Sequence, residues 1–316
     1  MQVSVQAATM ESTAVRHYND FGKTKMTEGF VEVGSARLHY VSAGKGPLVI
    51  MYHGFPSFWY AWKHQIRALS VHYQVVALDG LGTNLSDRPD NANAYDIARL
   101  ASDLDTVARH FSGDDPFILI GHDWGGALSW AFAQRYPARV SKLVVLSAPP
   151  YNLFLDLLQS NPHQQRASTY MERLKSSLGE KVLSAADAYL MWKLAYGKLV
   201  DQGYLTEAEG ELFREALAQP GALKGGINWY RANAPSPQEV TEDDFWPSRY
   251  AKVSSPSLLI WGQQDKTFVP EFIERLGDYV PDLNIEVIPQ AGHWPALSHP
   301  QVVNRRILGF LCGTDC

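Results

Sequence analysis

The sequence predicts an α/β fold: a mostly parallel, doubly wound sheet with a helical cap inserted over its carboxyl edge. Three observations predict it. Short, continuous apolar runs alternate with helical patterns through the first half of the chain, which is how strands buried on both faces by flanking helices read. The alternation stops after Pro149-Pro150 and resumes only at Ser257, so a strand-free block is inserted between the sixth and seventh sheet strands. The length, 316 residues, suits one large domain with an inserted subdomain better than two independent domains.

Taken in order, residues 1–26 form a polar leader without periodicity. Residues 30–33 and 36–41 read as two strands joined by a Gly-Ser turn. Residues 47–52 (PLVIMY), 74–78 (QVVAL), 117–120 (FILI), 143–146 (LVVL) and 257–261 (SLLIW) are apolar runs of strand length. Residues 286–288 are a weaker last strand. Helical patterns occupy residues 95–111 and 126–135. Within the inserted block they cover residues 185–199 and 206–217. The expected division is a leader (1–26), a core (27–150 and 244–316) and a helical cap (151–243). A cap in that position covers the sheet edge at which open α/β sheets bind ligands.

Composition narrows the function. With 28 basic and 33 acidic residues the net charge is −5, and no basic stripe of the kind nucleic-acid binders carry is present. No apolar run approaches the roughly 18 residues that span a bilayer, so no membrane partner is expected. The N-terminus, MQVSVQAATMEST, has no basic region followed by an apolar core, so it does not read as a secretory signal and a cytoplasmic location is expected. The two cysteines, Cys312 and Cys316, are too few for a zinc site and read as frayed tail thiols. No metal site is expected.

The segment FILIGHDWGGALSW carries the chemistry. An apolar strand runs into Gly121-His122-Asp123-Trp124-Gly125 and a helix follows, the nucleophile-elbow pattern of the α/β-hydrolase fold with Asp in place of Ser. Flanking glycines leave room for a sharp turn, and the helix N-terminus favours an anion there. An aspartate before a helix can simply cap it; the full strand–turn–helix context favours a nucleophile. A carboxylate is ionised at neutral pH without help but is a weak nucleophile. It suits displacement at a saturated carbon, which leaves an alkyl ester that a second, hydrolytic step must clear.

That second step needs a base and an acid to orient it. His293, in the Gly-His loop after the last strand, fits the base. Asp265, in LLIWGQQDKTFVP, fits the acid. The order nucleophile, acid, histidine is that of the α/β-hydrolase triad. His53-Gly54-Phe55-Pro56 fits the loop that completes an oxyanion hole, with the N–H groups of Phe55 and Trp124 as donors. His53 and His122 read as structural, and His64, His72, His163 and His299 have no supporting context.

On HGFPSFWYAW, GHDWGG, QQDKTF and AGHW the chain, from about Gly29 to its end, resembles the α/β-hydrolase epoxide hydrolases. The resemblance implies hydrolysis of small-molecule epoxides to vicinal diols with water, through an aspartyl ester and without a cofactor. It also implies two cap tyrosines that donate to the epoxide oxygen. GGINWYRAN resembles one such segment and gives Tyr230; RASTYMERL resembles the other and gives Tyr170. Phe55, Trp124, Trp192 and Trp229 are expected to contact substrate. One departure is LDGLGTNLSD, where the family has Arg between Asp and Gly. Haloalkane or haloacetate dehalogenases with the same nucleophile are the alternative, with Trp124 as one halide donor and Trp192 or Trp229 standing in for the second. They are disfavoured by Phe55 in place of Asn and by Trp124 in place of Arg. A catalytically silent receptor on the same scaffold would not need to keep Asp123, Asp265 and His293 together.

Overall fold

In the computed structural model, Phe21 and residues 24–312 are described. The strands are β1 (Met26–Val33), β2 (Ala36–Ala43), β3 (Leu48–Tyr52), β4 (Gln74–Leu78), β5 (Phe117–His122), β6 (Val140–Leu146), β7 (Ser257–Gly262) and β8 (Leu283–Ile288). They form one sheet in the order β1-β2-β4-β3-β5-β6-β7-β8. β2 pairs antiparallel with both β1 and β4, and every later pairing is parallel. Every residue of β3, β5 and β7 is buried, as strands covered on both faces must be. Alternate side chains feed two core layers. Ile50 and Tyr52 pack into one, Val49 and Met51 into the other.

Helices cover both faces. α1 (Lys63–Leu69) lies on one face with the C-terminal α13 (Pro300–Cys312), and α2 (Ile97–Ser112) and α3 (Trp124–Arg135) lie on the other. α2 starts where the sequence changes to a helical period. The Asp96 side chain accepts hydrogen bonds from the N–H groups of Ala98 and Arg99, capping the first turn.

Between β6 and β7 lie α4 (Tyr151–Ser160), α5 (Pro162–Ala167), α6 (Thr169–Lys175), α7 (Ser177–Trp192), α8 (Lys198–Asp201), α9 (Glu207–Ala218) and α10 (Ala222–Asn233), with no strand among them. After β7 come α11 (Glu271–Tyr279) and the short α12 (Pro295–Ser298). The pattern over residues 185–199 is not one helix. α7 breaks at Ala185–Ala188, where Ala186, Asp187 and Ala188 have positive φ, and a π-helical turn covers Lys193–Gly197. β8 starts earlier than expected because its first residues are partly exposed and carry no apolar run.

The inserted helices are tied to the loops and to the start of α2 beside the sheet by buried polar contacts. The Asn233 side chain accepts from the Ile97 N–H at 2.8 Å and donates to the Tyr95 carbonyl at 2.8 Å. The Tyr196 hydroxyl donates to the Pro56 carbonyl at 3.0 Å. Apart from Phe21 and its last residues, the expected leader lies outside the described residues; Phe21 is buried against Trp59 and Tyr60. Cys316 lies outside them too. Cys312 closes α13 with its sulfur 3.5 Å from the Tyr73 hydroxyl and is not a free thiol, so the reading of a frayed tail thiol is corrected there. Among the described residues no helix is long and apolar enough to cross a membrane.

Candidate active site

Asp123 stands between the end of β5 and the start of α3, with φ 51° and ψ −123°. A non-glycine residue at positive φ costs of the order of 1–3 kcal/mol and persists only where the surroundings enforce it. They do so through glycines. A Cβ on Gly121 would come within 2.4 Å of the Gly125 carbonyl oxygen, and one on Gly125 within 2.2 Å of the Tyr52 carbonyl oxygen. The turn therefore closes only with glycine at both places, and it lifts the Asp123 side chain above the sheet edge. Asp123 does not cap α3 with its side chain, so the capping alternative does not describe it.

The Asp123 carboxylate is 8% exposed. Its Oδ1 accepts the Phe55 N–H at 2.8 Å, and the Trp124 backbone N–H beside it helps hold the carboxyl pKa down. Phe55 reaches it because Gly54 has no side chain; a Cβ there would meet Oδ1 at 2.2 Å. The two N–H groups expected from the sequence thus converge on one carboxylate.

On the other side, His293 Nε2 lies 3.5 Å from Asp123 Oδ2, while its Nδ1 lies 2.8 Å from Asp265 Oδ2. Asp265 has no exposed side-chain surface. Its second oxygen accepts the Thr267 N–H at 2.8 Å, a partner the sequence reading missed, although an Asx turn two residues on is a local signal. His293 is further fixed by His122, whose Nε2 lies 2.7 Å from the His293 carbonyl oxygen.

Charge follows from these contacts. Burial alone would raise the pKa of Asp123 and of Asp265, but the His293 ring more than reverses this and both are held below the ordinary carboxylate value. Burial alone would lower His293; the Asp265 and Asp123 carboxylates outweigh it and push the imidazole up to about 10. At neutral pH the arrangement is an imidazolium between two carboxylates.

Tyr170 from α6 and Tyr230 from α10 line the cavity that also holds Asp123, Phe55 and His293. Their rings meet edge to face with centroids 6.3 Å apart, and their hydroxyls contact each other. Burial, chiefly, and the nearby Asp123 charge keep both phenols above their ordinary pKa. The Trp124 ring stands edge-on to Tyr230 at 5.1 Å. The cavity measures about 540 Å³, and its wall is completed by apolar cap side chains such as Leu174, Leu183 and Met191. A second space of about 20 Å³ adjoins the same Asp123, Tyr170 and Tyr230, walled by Phe154, Met171 and Phe268.

Two expected contacts are corrected. Trp192 and Trp229 are not among the residues that line either space. The Trp192 indole N–H donates to the Gly210 carbonyl at 2.7 Å, and that of Trp229 to the Leu81 carbonyl at 2.9 Å. Both are structural ties, with no N–H left for a ligand. Leu81 is the residue that departs from the family pattern; it is 2% exposed and serves this tie through its backbone. His53 is likewise committed. Its Nε2 accepts the Gly80 N–H at 2.9 Å and its Nδ1 lies 2.8 Å from the Gly54 carbonyl oxygen.

Residues 47–300 match the family described as alpha/beta hydrolase fold. Epoxide hydrolase 3 of Mus musculus is 36% identical over 287 residues, covering 89% of this chain and 75% of that protein. Epoxide hydrolase 4 of Homo sapiens is 34% identical, covering 87% and 75%. A crystal structure of a Bacillus megaterium epoxide hydrolase in complex with an inhibitor is 32% identical, with a TM-score of 0.81, and covers 90% of this chain and 99% of that one.

Proposed function

The chain belongs to the epoxide hydrolase family of the α/β-hydrolase fold and is a hydrolase acting on ether bonds, and we propose that it opens epoxides to vicinal diols through an alkyl ester on Asp123. The observation that carries this route is the Asp123 carboxylate itself, ionised and gripped at Oδ1 by the Phe55 N–H at 2.8 Å, in one cavity with His293 and two phenols.

In the first step Asp123 Oδ2 attacks an epoxide ring carbon. The carbon–oxygen bond breaks and its electron pair stays on the departing oxygen. That oxygen would leave as a strongly basic alkoxide, so Tyr170 or Tyr230 delivers a proton to it. Phenols held above their ordinary pKa remain protonated throughout the neutral range. In the second step His293, once its proton has passed to the phenolate that the first step left, takes a proton from water. The hydroxide adds to the ester carbonyl carbon, the acyl carbon–oxygen bond then breaks, and the departing diol oxygen takes the proton back from His293, leaving Asp123 as a carboxylate. The Phe55 and Trp124 N–H groups face the oxyanion that forms on Oδ1.

Charge links the two steps. While Asp123 is ionised, two carboxylates hold His293 protonated. Alkylation of Asp123 removes one of those charges, so the imidazole pKa falls and the base becomes available when the ester exists. Asp265 remains and keeps the ring oriented.

Haloalkane chemistry needs N–H donors around the departing halide. Trp192 and Trp229 donate to backbone carbonyls instead, while the site offers proton donors suited to an alkoxide. The test is a single turnover in heavy-oxygen water with enzyme in excess. Water attacks the ester carbonyl, so the label enters the Asp123 carboxylate and the first-turnover diol is unlabelled. Label in that first diol with none in Asp123 overturns the covalent route.

A further inference from the structure

Among the described residues, large apolar side chains that face solvent concentrate in one part of the cap: Leu178, Val182, Tyr189, Leu190 and Leu194, with Leu178 and Leu194 each 69% exposed. All five belong to α7 or the π-helical turn after it. Single exposed apolar residues are ordinary, but a cluster marks a contact surface. Val182 and Leu194 also line the cavity that contains Asp123. The apolar surface therefore continues from the outside of the cap into the reactive site.

The charges around it are one-sided. Glu180 pairs with Arg231 at 2.7 Å and Asp201 with Lys193 at 3.7 Å, while Asp187 shares Arg214, at 3.7 Å, with Glu211. Arg173, Lys181 and Lys198 are exposed and form no ion pair among the described residues, and Arg173 lines the cavity. The chain as a whole carries −5, so this face is basic on an acidic molecule. A symmetric dimer through it would set these cations against their own copies. An anionic lipid surface takes both the apolar side chains and the cations.

We propose that this face of the cap docks on anionic phospholipid bilayers, so that an apolar epoxide passes from the membrane into the cavity without crossing water. Docking of this kind needs no spanning helix. The delivery role rests on the epoxide-opening reading; the docking does not. Three cations near an anionic surface multiply partitioning on the order of 100-fold, and salt weakens that attraction.

Flotation of the purified protein with vesicles of phosphatidylcholine alone, or mixed with phosphatidylserine, tests the docking. The wild type is expected to float with the mixed vesicles, less so at high salt, and weakly with phosphatidylcholine. Leu178→Glu/Leu190→Glu, at two positions that do not line the cavity, should bind at least roughly tenfold more weakly, because two apolar contacts become charged. Its turnover of a water-soluble epoxide should match the wild type, and Lys181→Glu/Lys198→Glu should repeat the result without altering an apolar residue. The proposal is overturned if the wild type floats with neither vesicle, if both variants float as it does, or if light scattering shows a dimer that the leucine variant abolishes. A protein that floats yet turns over no epoxide leaves the docking intact and removes the catalytic reading.

Discussion

At the scale of single residues, His293 holds together two buried carboxylates that would otherwise repel, and that makes two outcomes predictable. If it acts only on the ester, His293→Gln still alkylates, and intact-mass spectra should show the substrate mass retained on the peptide that contains Asp123. Absence of an adduct, with a substrate that the wild type turns over, removes His293 from the second step. The other outcome concerns stability. The folded-state pKa of His293, about 10, lies above its ordinary 6.5. Its contribution is therefore fully present below pH 6.5 and is lost as the pH rises towards 10. The melting-temperature gap between the wild type and His293→Gln should be wide near pH 6 and should narrow at pH 10; a constant gap means that the ring contributes by packing alone. The tyrosines separate epoxide from halide chemistry. Tyr170→Phe/Tyr230→Phe removes only hydroxyls, and general acid catalysis is commonly worth about 100-fold or more. Epoxide turnover in the double variant should fall by at least that factor. Wild-type rates in that variant would falsify the assignment of proton donors.

Elements show why some of this was legible in the sequence and some was not. Strands buried on both faces announce themselves as unbroken apolar runs, so β3, β4, β5 and β7 were placed to within two residues. The elbow was legible because its glycines are dictated by backbone approach within a few residues. β8 was read short because an edge strand with exposed residues has no such run. The break in α7 falls in SAADAY, where alanine gives no stop signal. The two tryptophans were misread because their N–H partners lie far off in the chain, Gly210 for Trp192 and Leu81 for Trp229. Such ties exist only after folding. Asn233 is a third tie of this kind, at the last turn of α10. Its side chain serves the Ile97 N–H and the Tyr95 and Trp229 carbonyls, all at 2.8–2.9 Å. Asn233→Ala leaves buried groups unpaired, each costing about 1–3 kcal/mol. Chemical denaturation should show a loss of at least ~2 kcal/mol with the slope unchanged. A loss below that shows that the tie between α10 and the start of α2 is dispensable.

On the scale of the whole molecule, the sheet edge and the inserted helices enclose Asp123, Tyr170 and Tyr230 between two unequal spaces, and on the proposed route that inequality constrains the substrate. Asp123, Tyr170 and Tyr230 border both, so on the proposed route an epoxide attacked by Asp123 would direct one substituent into each. The larger, about 540 Å³ with mostly apolar walls, admits a bulky apolar arm. The smaller, about 20 Å³, holds little more than one water molecule. Its walls are fixed. Phe154 is 5% exposed and Met171 5%, and Phe154 meets Phe268 edge to face at 6.2 Å. Enlarging the small space means moving a packed core, which costs more than a small substituent can return. A terminal epoxide on a long apolar chain should therefore be preferred over its isomer with the ring in mid-chain. A misfitting methylene costs on the order of 10-fold in kcat/KM or more, and several would have to fit. Phe154→Leu, which removes part of the wall while keeping an apolar side chain, should narrow the preference by raising kcat/KM for the internal isomer and leaving the terminal one nearly unchanged. Equal kcat/KM for the two isomers in the wild type contradicts the two-space reading, and so does a Phe154→Leu variant that slows both alike.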